Sequence, residues 1–391
     1  KRSTIKNFII KIGGDFMNLK KLGLIGLLCV CVLYSYTTSA AESGEEYSET
    51  IGKFKYTYCN YASDQIWITL IEPVSDQGIS ILKIPSKIGG KKVTKLGSKY
   101  DPEDDFVESH NIFGIYRSED DEIIRPKKTI KKVANIKQII LPSTITKITP
   151  NCFRLVQDGK CINIPSRLTE TICYLCEVKW KKFSVSSKNK KYKVEDGVLL
   201  SKDGKLAYGS VMPMKKLSIP KGVKTIEDRS IFYSSGATDF YIPASVNKIG
   251  FQSLFFSNVV RFHVSKKNKH YAETENCVYS KKTGRLVAVS VKNSTFTVPK
   301  GITYLSKTNF AGRPVKKFII PASVKKIEGF WCPYIENITY VFKGKRPPKI
   351  ENSFAFKGIR LQVPKGCKKA YRRAVKTTSD YYGEKIEISE V

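Results

Sequence analysis

Histidine, methionine and tryptophan are scarce in this sequence, with three of each among its 391 residues. The histidines are His110, His263 and His270, and no serine, cysteine or carboxylate stands at a motif spacing from His263 or His270. Nucleophilic and acid–base catalysis need such a partner within hydrogen-bonding reach. Gly89-Gly90 does not follow the phosphate-loop pattern, and no paired carboxylates flank a recognisable groove. We therefore expect a non-enzymatic protein with no catalytic residue, no metal and no cofactor.

Acidic residues are also in short supply, with 35 Asp and Glu against 68 Lys and Arg, which leaves a formal net charge of +33. Such an excess attracts anionic macromolecules. The aromatic-interleaved modules that recognise nucleic acid are missing, so specific nucleic-acid binding is not expected. The charge instead predicts that the partner is a host or bacterial surface protein, or an anionic glycan or wall polymer.

Long apolar runs are missing as well. The run Leu22–Leu33 is too short to span a membrane as a stable helix, so we expect no membrane span. It follows Lys20-Lys21 and precedes a small-residue cleavage site, which is typical of a secretory signal peptide. We interpret residues 17–41 as a signal peptide and residues 1–16 as a non-native upstream segment. The mature protein is expected to be secreted or associated with the cell surface.

A repeat of about 23 residues organises the rest of the chain. Residues 217–232 match residues 240–255 position by position, with Pro220 and Pro243 separated by 23 residues. Alternating apolar residues predict a half-buried strand, and the proline ends it because proline has no N–H for a β-ladder. Such a unit buries its apolar face only by stacking on a copy of itself, which predicts a solenoid. The strand-ending prolines are Pro85, Pro142, Pro165, Pro220, Pro243, Pro299, Pro321 and Pro364.

Two insertions interrupt this period, at residues 183–216 and 262–296. Each contains a pair of predicted strands, and the two insertions resemble one another. Asp203-Gly204 and Thr283-Gly284 are typical of the turns that join hairpin strands. The sequence therefore predicts two β-hairpin insertions in the array.

The Ile-Pro-x-x-Val-x-x-Ile unit, the inserted hairpins and the closing segment Val363–Tyr371 resemble the BspA-type leucine-rich repeat family. The resemblance covers roughly residues 53–371 and rests on many copies of the unit. It implies a mainly β repeat solenoid, a right-handed leucine-rich-repeat array, in a secreted or surface protein of a bacterium. It also implies a role in adhesion, with no catalytic residues to carry over.

The domain boundaries follow from the same patterns. Alternating aromatic strands predict a β-rich N-terminal cap over residues 42–83, which covers the open end of the solenoid of residues 84–371. Clustered carboxylates over residues 101–122 predict a mobile, solvated insertion, although such clusters also suit calcium. A short basic helix and a final strand predict a C-terminal cap over residues 372–391.

Four cysteines, Cys152, Cys161, Cys173 and Cys176, fall close together in the sequence. The last two have the spacing of metal ligands or of a redox pair. Cys152 and Cys176 also lie at or beside the apolar position that closes each repeat, where a small buried thiol packs well. Core packing, a Cys152–Cys176 disulfide and a zinc site remain open on this basis, with core packing favoured.

Outward side chains of stacked strands form columns, because consecutive strands lie about 4.8 Å apart. We expect columns two and four residues before the strand-ending prolines to bind a ligand, and lysines just after the prolines to form a basic ladder. The predicted ligand-binding residues are Gln138, Ile140, Asn163, Lys216, Asp239, Tyr241, Thr297, Lys317 and Ile319. The predicted basic ladder consists of Lys147, Lys224, Lys248 and Lys326.

The sequence thus predicts a secreted bacterial binding or adhesion protein that recognises host proteins, glycans or other anionic polymers through the solenoid face. A structural envelope protein held electrostatically to wall polymers is the alternative interpretation. A glycan-active enzyme with a site hidden between the insertions is a third. For the lysines themselves, a solvated surface that keeps the protein soluble is the simpler explanation.

Overall fold

The chain divides into two units, residues 1–46 and residues 47–391. In the first unit, β1 (Ile9–Ile12) and β2 (Asp15–Asn18) form an antiparallel hairpin. Residues 19–44, which hold most of the predicted signal peptide, lie outside the described residues. In the part of the chain that is described, no helix has the length and apolar character needed to cross a membrane. The computed structural model describes residues 9–12, 15–18, 45–75, 79–97, 112–113, 132–149, 152–153, 156, 158–170, 178–211, 214–231, 237–250, 253–254, 259–275, 277–305, 310, 314–328, 337–351, 358–375 and 386–391.

The second unit is a β-solenoid of stacked coils, which confirms the predicted fold class. The first strand of each coil pairs in parallel with its neighbours: Leu217 faces Phe240, and Phe240 faces Phe262. These central residues are buried, whereas flanking residues such as Lys216 and Ser218 point outward, because side chains alternate along a strand. We call the surface of these outward side chains the front face. The first strands are β6 (Ile81–Lys83), β9 (Gln138–Ile140), β11 (Cys161–Ile164), β12 (Phe183–Val185), β16 (Lys216–Ser218), β18 (Asp239–Ile242), β20 (Arg261–Val264), β24 (Thr295–Thr297), β26 (Lys317–Ile320), β28 (Thr339–Phe342), β30 (Arg360–Val363) and β31 (Glu387–Glu390).

A corner turn follows most of the first strands. In it, the carbonyl of the strand-ending residue accepts a hydrogen bond from the N–H three residues later, as between Pro220 and Val223 at 3.4 Å and between Pro321 and Val324 at 3.1 Å. Gly222 occupies the third turn position with a φ of 96°, which a type II turn requires and which favours glycine. The corner turns therefore end the first strands and redirect the chain around the core.

Most corner turns lead toward a short second strand, and the second strands also pair in parallel. Thr225 faces Lys248 in the middle of the solenoid. Nearer the C-terminal end, Tyr304 faces Lys326, which in turn faces Lys349. The second strands are β10 (Lys147–Ile148), β17 (Thr225–Ile231), β19 (Lys248–Ile249), β25 (Tyr304–Leu305), β27 (Lys326–Glu328) and β29 (Lys349–Glu351).

The two insertions each contain three antiparallel strands, and the middle strand crosses the interior of the solenoid. In the middle strand of the first, Val198 and Leu200 pack into the central core cluster, whereas Leu199 packs into the N-terminal cluster. In the second insertion, Val278 packs into the central core cluster and Cys277 packs into the C-terminal core cluster. These middle strands, which we call partition strands, therefore separate one core cluster from the next. The insertion strands are β13 (Tyr192–Glu195), β14 (Val198–Ser201), β15 (Leu206–Ser210), β21 (Tyr271–Thr274), β22 (Cys277–Ser280) and β23 (Leu286–Val289), of which β14 and β22 are the partition strands.

The insertions begin one strand later than the sequence pattern indicates. Strands β12 and β20, placed inside the predicted insertions, pair with the preceding first strands and continue the front face. Strand β15 pairs in parallel with β17 and so takes the place of a second strand. The first strands form three separate sheets, and one partition strand lies between each sheet and the next. The sheets are β6-β9-β11-β12, β16-β18-β20 and β24-β26-β28-β30-β31.

A buried asparagine joins each insertion to the coil before it. The Nδ2 of Asn268 donates to the carbonyls of Pro243 at 2.8 Å and Val246 at 3.0 Å. Its Oδ1 accepts two backbone N–H groups at 2.8 and 2.9 Å. Asn189 makes the same four bonds in the first insertion. Asparagine thus replaces the buried apolar residue that closes the other corner turns, and it holds the change in chain direction.

Strands and one helix cover the two ends of the solenoid. The N-terminal sheet buries Tyr56 and Ile68 and continues into the array because β5 and β8 pair in parallel. At the other end, Tyr371 is buried on the helix and donates its hydroxyl to the carbonyl of Gly344 at 2.7 Å. Both ends therefore gain cover that a neighbouring coil supplies elsewhere. The cap elements are β3 (Glu46–Ile51), β4 (Phe54–Ala62), β5 (Gln65–Pro73), β7 (Lys87–Ile88), β8 (Lys91–Leu96) and α1 (Lys368–Val375).

Two sequence hypotheses fall largely on residues that the structure does not describe. Of the predicted acidic insertion, Ile112 and Phe113 are described, and both are fully buried rather than solvated. Cys152 is 2% exposed, in accord with core packing. Cys173 and Cys176 lie outside the described residues, and so do the disulfide and zinc hypotheses that depend on them. The described part of the chain holds no group of three or more potential metal ligands.

Replacement of Asn268 by alanine is expected to lower the free energy of unfolding by about 3 kcal/mol, because four buried backbone groups lose their partner. Urea denaturation followed by circular dichroism measures the change. Asn247→Ala is the matched control, since the Asn247 side chain is exposed and its change is expected to stay within about 0.5 kcal/mol. Equal midpoints for the two variants would show that the buried amide does not hold the insertion.

Candidate functional site

The front face presents the predicted ligand-binding residues in three groups rather than on one continuous surface, because the first strands form three sheets. The register places Lys216 beside Asp239 in the central group and Thr297 beside Ile319 in the C-terminal group. Sequence reasoning treated the columns as uninterrupted and missed these breaks. The groups are Gln138, Ile140 and Asn163; Lys216, Asp239 and Tyr241; and Thr297, Lys317 and Ile319.

Two of these side chains are engaged within the fold. The Asn163 amide accepts the N–H of Leu141 and donates to the carbonyl of the same residue, both at 2.8 Å. The Asp239 side chain is only 7% exposed. The Asn163 amide is therefore already hydrogen-bonded within the fold, and Asp239 reaches the surface mainly through the side chains that it binds.

Asp239 is the centre of a hydrogen-bonded cluster on β18 and β20. Its Oδ1 accepts from Nε of Arg261 at 2.8 Å and lies 3.0 Å from Nε2 of His263. Its Oδ2 accepts from Nη2 of Arg261 at 3.0 Å and from Oγ1 of Thr238 at 2.9 Å. Because the contact between carboxylate and guanidinium is bidentate, it fixes the orientation of both groups. We call Asp239, Arg261, His263 and Tyr241 the central cluster.

An aromatic pair completes the central cluster. The rings of Tyr241 and His263 stack with centroids 4.3 Å apart and an angle of 15° between their planes. The strand register creates this contact, because it places Tyr241 directly opposite His263. The His263 ring is held at its edge by Asp239 and on its face by Tyr241, so the pair forms a fixed, flat and partly apolar surface.

The electrostatics of the central cluster favour binding over proton transfer. The Arg261 guanidinium, and then His263, hold the pKa of Asp239 well below its usual range. Asp239 in turn raises the pKa of Arg261. A carboxylate with a depressed pKa is a weak base and stays ionised at neutral pH. The Arg261 side chain remains 61% exposed, so the cluster presents a fixed cation at the surface.

Sequence reasoning missed Arg261 and His263 as members of this site. The columns were counted back from the strand-ending prolines, and Ser265 rather than a proline follows β20 (Arg261–Val264). The signal was nevertheless present in the spacing, since Arg261 and His263 lie 22 residues after Asp239 and Tyr241. Counting from the buried central residues would have placed both side chains in the columns.

A cleft of about 360 Å³ lies beside the central cluster, where the central sheet ends and β24 begins. Val260, which directly precedes Arg261, forms part of its wall. Glu275, Lys292 and Thr295 contribute a carboxylate, an ammonium and a hydroxyl to the lining. The volume falls within the range of about 300–1,000 Å³ that is usual for small-ligand sites.

The predicted basic ladder lies near the second strands, but its members do not form one column. Thr225, rather than Lys224, faces Lys248 across the register. The corner turns after Pro220 and Pro243 have the same length, so the residues five positions beyond each proline become neighbours. Lys224 stands only four positions beyond its proline and falls outside the column.

Carboxylates neutralise much of this ladder. The Nζ of Lys147 lies 3.6 Å from Glu170, and the Nζ of Lys326 lies 2.9 Å from Glu351. Lys349 approaches the same carboxylate of Glu351 at 2.5 Å. The second strands are therefore a mixed-charge surface instead of the basic edge that the sequence predicts.

Replacement of Arg261 by alanine is expected to raise the pKa of Asp239 toward its usual value, because the largest stabilising contact of the carboxylate is lost. A ¹³C NMR titration of the aspartate carboxyl groups measures the pKa. Lys216→Ala is the matched control, since Lys216 faces Asp239 in the register, yet no hydrogen bond joins the two described side chains. An unchanged Asp239 titration in Arg261→Ala would contradict the described cluster.

The same cluster is expected to make the stability of the folded protein depend on pH in the acid range. Because the pKa of Asp239 is lower in the folded state, its contribution is fully present above the unfolded pKa of about 3.9 and is lost as pH falls through the folded pKa. Asp239→Asn should therefore lose less stability than the wild type between about pH 4 and pH 2. The midpoints of urea denaturation, measured for both proteins across this pH range, test the prediction. Equal losses of stability in Asp239→Asn and the wild type would contradict it.

Comparison with solved structures gives several matches at low sequence identity. A leucine rich cell surface protein from Faecalibacterium prausnitzii A2-165 aligns over 89% of this chain and 96% of its own, with 13% identity and a TM-score of 0.39. A leucine-rich repeat protein from Eubacterium ventriosum ATCC 27560 aligns over 85% and 84%, with 14% identity and a TM-score of 0.37. The pneumococcal vaccine antigen PcpA aligns over 88% and 99%, with 13% identity and a TM-score of 0.31.

Comparison with protein families gives a more direct result. No curated protein matches the chain. The family model of the BspA type leucine rich repeat region, in six copies, matches residues 126–260, 175–283, 204–339 and 287–362. These matches together cover more than half of the chain. The protein therefore belongs to the BspA-type leucine-rich repeat family, a family of bacterial leucine-rich repeat surface proteins.

Proposed function

We propose that this protein is a secreted or surface-displayed binding protein that recognises a host or bacterial surface macromolecule, a protein or a glycan. The central cluster on the front face is its proposed binding site. The observation that supports this site is the fixed arrangement of Arg261 and His263 around the Asp239 carboxylate, with Tyr241 stacked on His263. The proposed role is adhesion or recognition without catalysis.

The composition of the central cluster suits a binding hot spot. Tyrosine and arginine are enriched among the side chains that contribute most to protein interfaces. Immobilising a flexible side chain on association costs about 0.5–1.5 kcal/mol. The bidentate contact with Asp239 already holds Arg261, and stacking already holds Tyr241, so a ligand meets groups whose geometry is set in advance.

The cleft beside β24 offers a second contact region for the same ligand. Lys292 and Glu275 line it with opposite charges, and Thr295 adds a hydroxyl that both donates and accepts hydrogen bonds. Such a lining suits a polar ligand segment, either a sugar ring or a charged side chain. A ligand that covers the central cluster and also enters the cleft gains specificity from shape as well as from charge.

The proposal also places the protein outside the cytoplasm. The charged and apolar segments within residues 17–41 have the order of a secretory signal, and the family consists of bacterial surface proteins. Display at the surface would put the front face in contact with host or neighbouring-cell macromolecules.

Binding of the purified protein to an array of host matrix proteins, mucin glycans and wall polymers tests the proposed site. We expect one ligand to survive a several-fold increase in salt. Its affinity should fall about tenfold or more in Tyr241→Ala and in Arg261→Ala, equivalent to about 1.4 kcal/mol or more, as expected for hot-spot side chains. The array is read at low and high salt, because screening weakens exposed charge contacts selectively.

His270→Ala is the matched control for His263→Ala, because His270 is an exposed histidine in the turn that follows β20. The control is expected to bind as the wild type does, whereas His263→Ala loses affinity. Equal affinity in all the front-face variants and the wild type would show that the central cluster is not the binding site. Loss of every interaction at high salt would refute specific recognition.

A further inference from the structure

Within each of the three sheets of first strands, the corner turns stack on one another along an edge that is separate from the front face. Neighbouring turns touch directly, as where the N–H of Gly222 donates to Oγ of Ser245 at 3.2 Å. The paired strands that lead into them hold the other turns of each sheet in the same row. Between the sheets, the hairpin turns of the two insertions, residues 202–204 and 282–284, interrupt the row, because the carbonyls of Lys205 and Gly284 accept the N–H groups of Lys224 and Thr303. We call the row of their central residues the corner edge. It comprises residues 143–144, 166–167, 187–188, 221–222, 244–245, 266–267, 300–301, 322–323, 345–346 and 365–366.

The corner edge carries cations in seven of its ten turns, whereas residues 143–144, 244–245 and 322–323 carry none. It contains no carboxylate, no aromatic residue and no side-chain amide. Its remaining residues are serine, threonine, glycine and alanine, which leave the cations unobstructed. Its charged residues, all exposed, are Arg167, Lys188, Lys221, Lys266, Lys267, Lys300, Lys345, Arg346 and Lys365.

The corner edge differs from the second strands in how its charges are compensated. On the second strands, Lys147 pairs with Glu170, and Lys326 and Lys349 share Glu351. Among the described residues, no cation of the corner edge lies within 4.0 Å of a carboxylate oxygen. The cations of the corner edge are thus left without a carboxylate partner among the described residues.

The spacing of the corner edge suits a linear polyanion. Consecutive coils lie about 4.8 Å apart, so Lys221 and Lys267, two coils apart, stand about 10 Å from each other along the edge. A polymer that runs parallel to the solenoid axis meets cations in most turns of each sheet. Weak individual contacts then reinforce one another, because each contact raises the effective concentration of the next.

We infer that the corner edge is a docking surface for a linear, phosphodiester-linked anionic polymer of the bacterial envelope. Lysine ammonium groups bind phosphate as point charges and accept many orientations, which suits a flexible chain. The edge offers no aromatic ring on which a sugar could stack, so it recognises charge carried by the polymer backbone rather than sugar identity. This surface is separate from the central cluster and does not depend on the function proposed for it.

A pair of triple variants tests the corner edge. One carries Lys221→Gln, Lys267→Gln and Lys300→Gln, and the other carries Lys147→Gln, Lys326→Gln and Lys349→Gln on the second strands. Both lose three positive charges, so they differ in the location of the charge and not in its amount. Circular dichroism melting curves of both variants confirm that the fold is kept. The probe is poly(glycerol phosphate) of defined length, with affinity measured from about 50 mM to 200 mM salt.

The corner variant is expected to bind the probe at least tenfold more weakly at low salt. The slope of log affinity against log salt should become shallower by about 2, since each lost contact to a single-stranded polyanion removes about 0.7. The second-strand variant should lose less than threefold and keep the wild-type slope. Arg261→Ala should bind the probe as the wild type does, which separates this surface from the central cluster.

Two outcomes would overturn the inference. Equal losses in the two triple variants would show that net charge, rather than the corner edge, attracts the polymer. Tighter binding to heparin or to single-stranded DNA than to poly(glycerol phosphate), at the same ionic strength and chain charge, would show that the envelope polymer is the wrong occupant.

Discussion

The parallel backbone ladder between successive coils is the constraint on which the rest of this structure depends. It sets Leu217, Phe240 and Phe262 one above the other in the core. Because side chains alternate along a strand, a slip of one residue would turn these aromatic and aliphatic groups to solvent. Burial of the core therefore fixes the register. The register in turn places Asp239 beside Arg261 and brings the rings of Tyr241 and His263 into contact.

The partition strands set the second constraint. A strand that packs into different core clusters on its two faces divides the solenoid into segments. The front face is broken at the same places, which leaves the central cluster at the end of a three-stranded sheet and beside a cleft. The buried amides of Asn189 and Asn268 hold the chain where each insertion departs. Features that build the core thus also shape the candidate site.

The fold could be predicted from the sequence because the unit repeats many times, and each proline marks the end of a strand. The site could be predicted only where that mark is present. Arg261 and His263 lie on a strand that no proline ends, so their columns were not recognised. The partition strands were read as ordinary hairpins, since a hairpin turn looks the same whether its strands are buried or exposed. Carboxylate partners such as Glu170 and Glu351 lie one coil away, where local spacing does not reveal them.

Amide hydrogen exchange, with and without the surface ligand that survives high salt, tests the central claim most directly. The account predicts slower exchange in residues 237–242 and 259–264, which carry the central cluster, and unchanged exchange in the second strands at residues 225–226 and 248–249. Protection confined to the second strands, or to either cap, would contradict the assignment of binding to the front face.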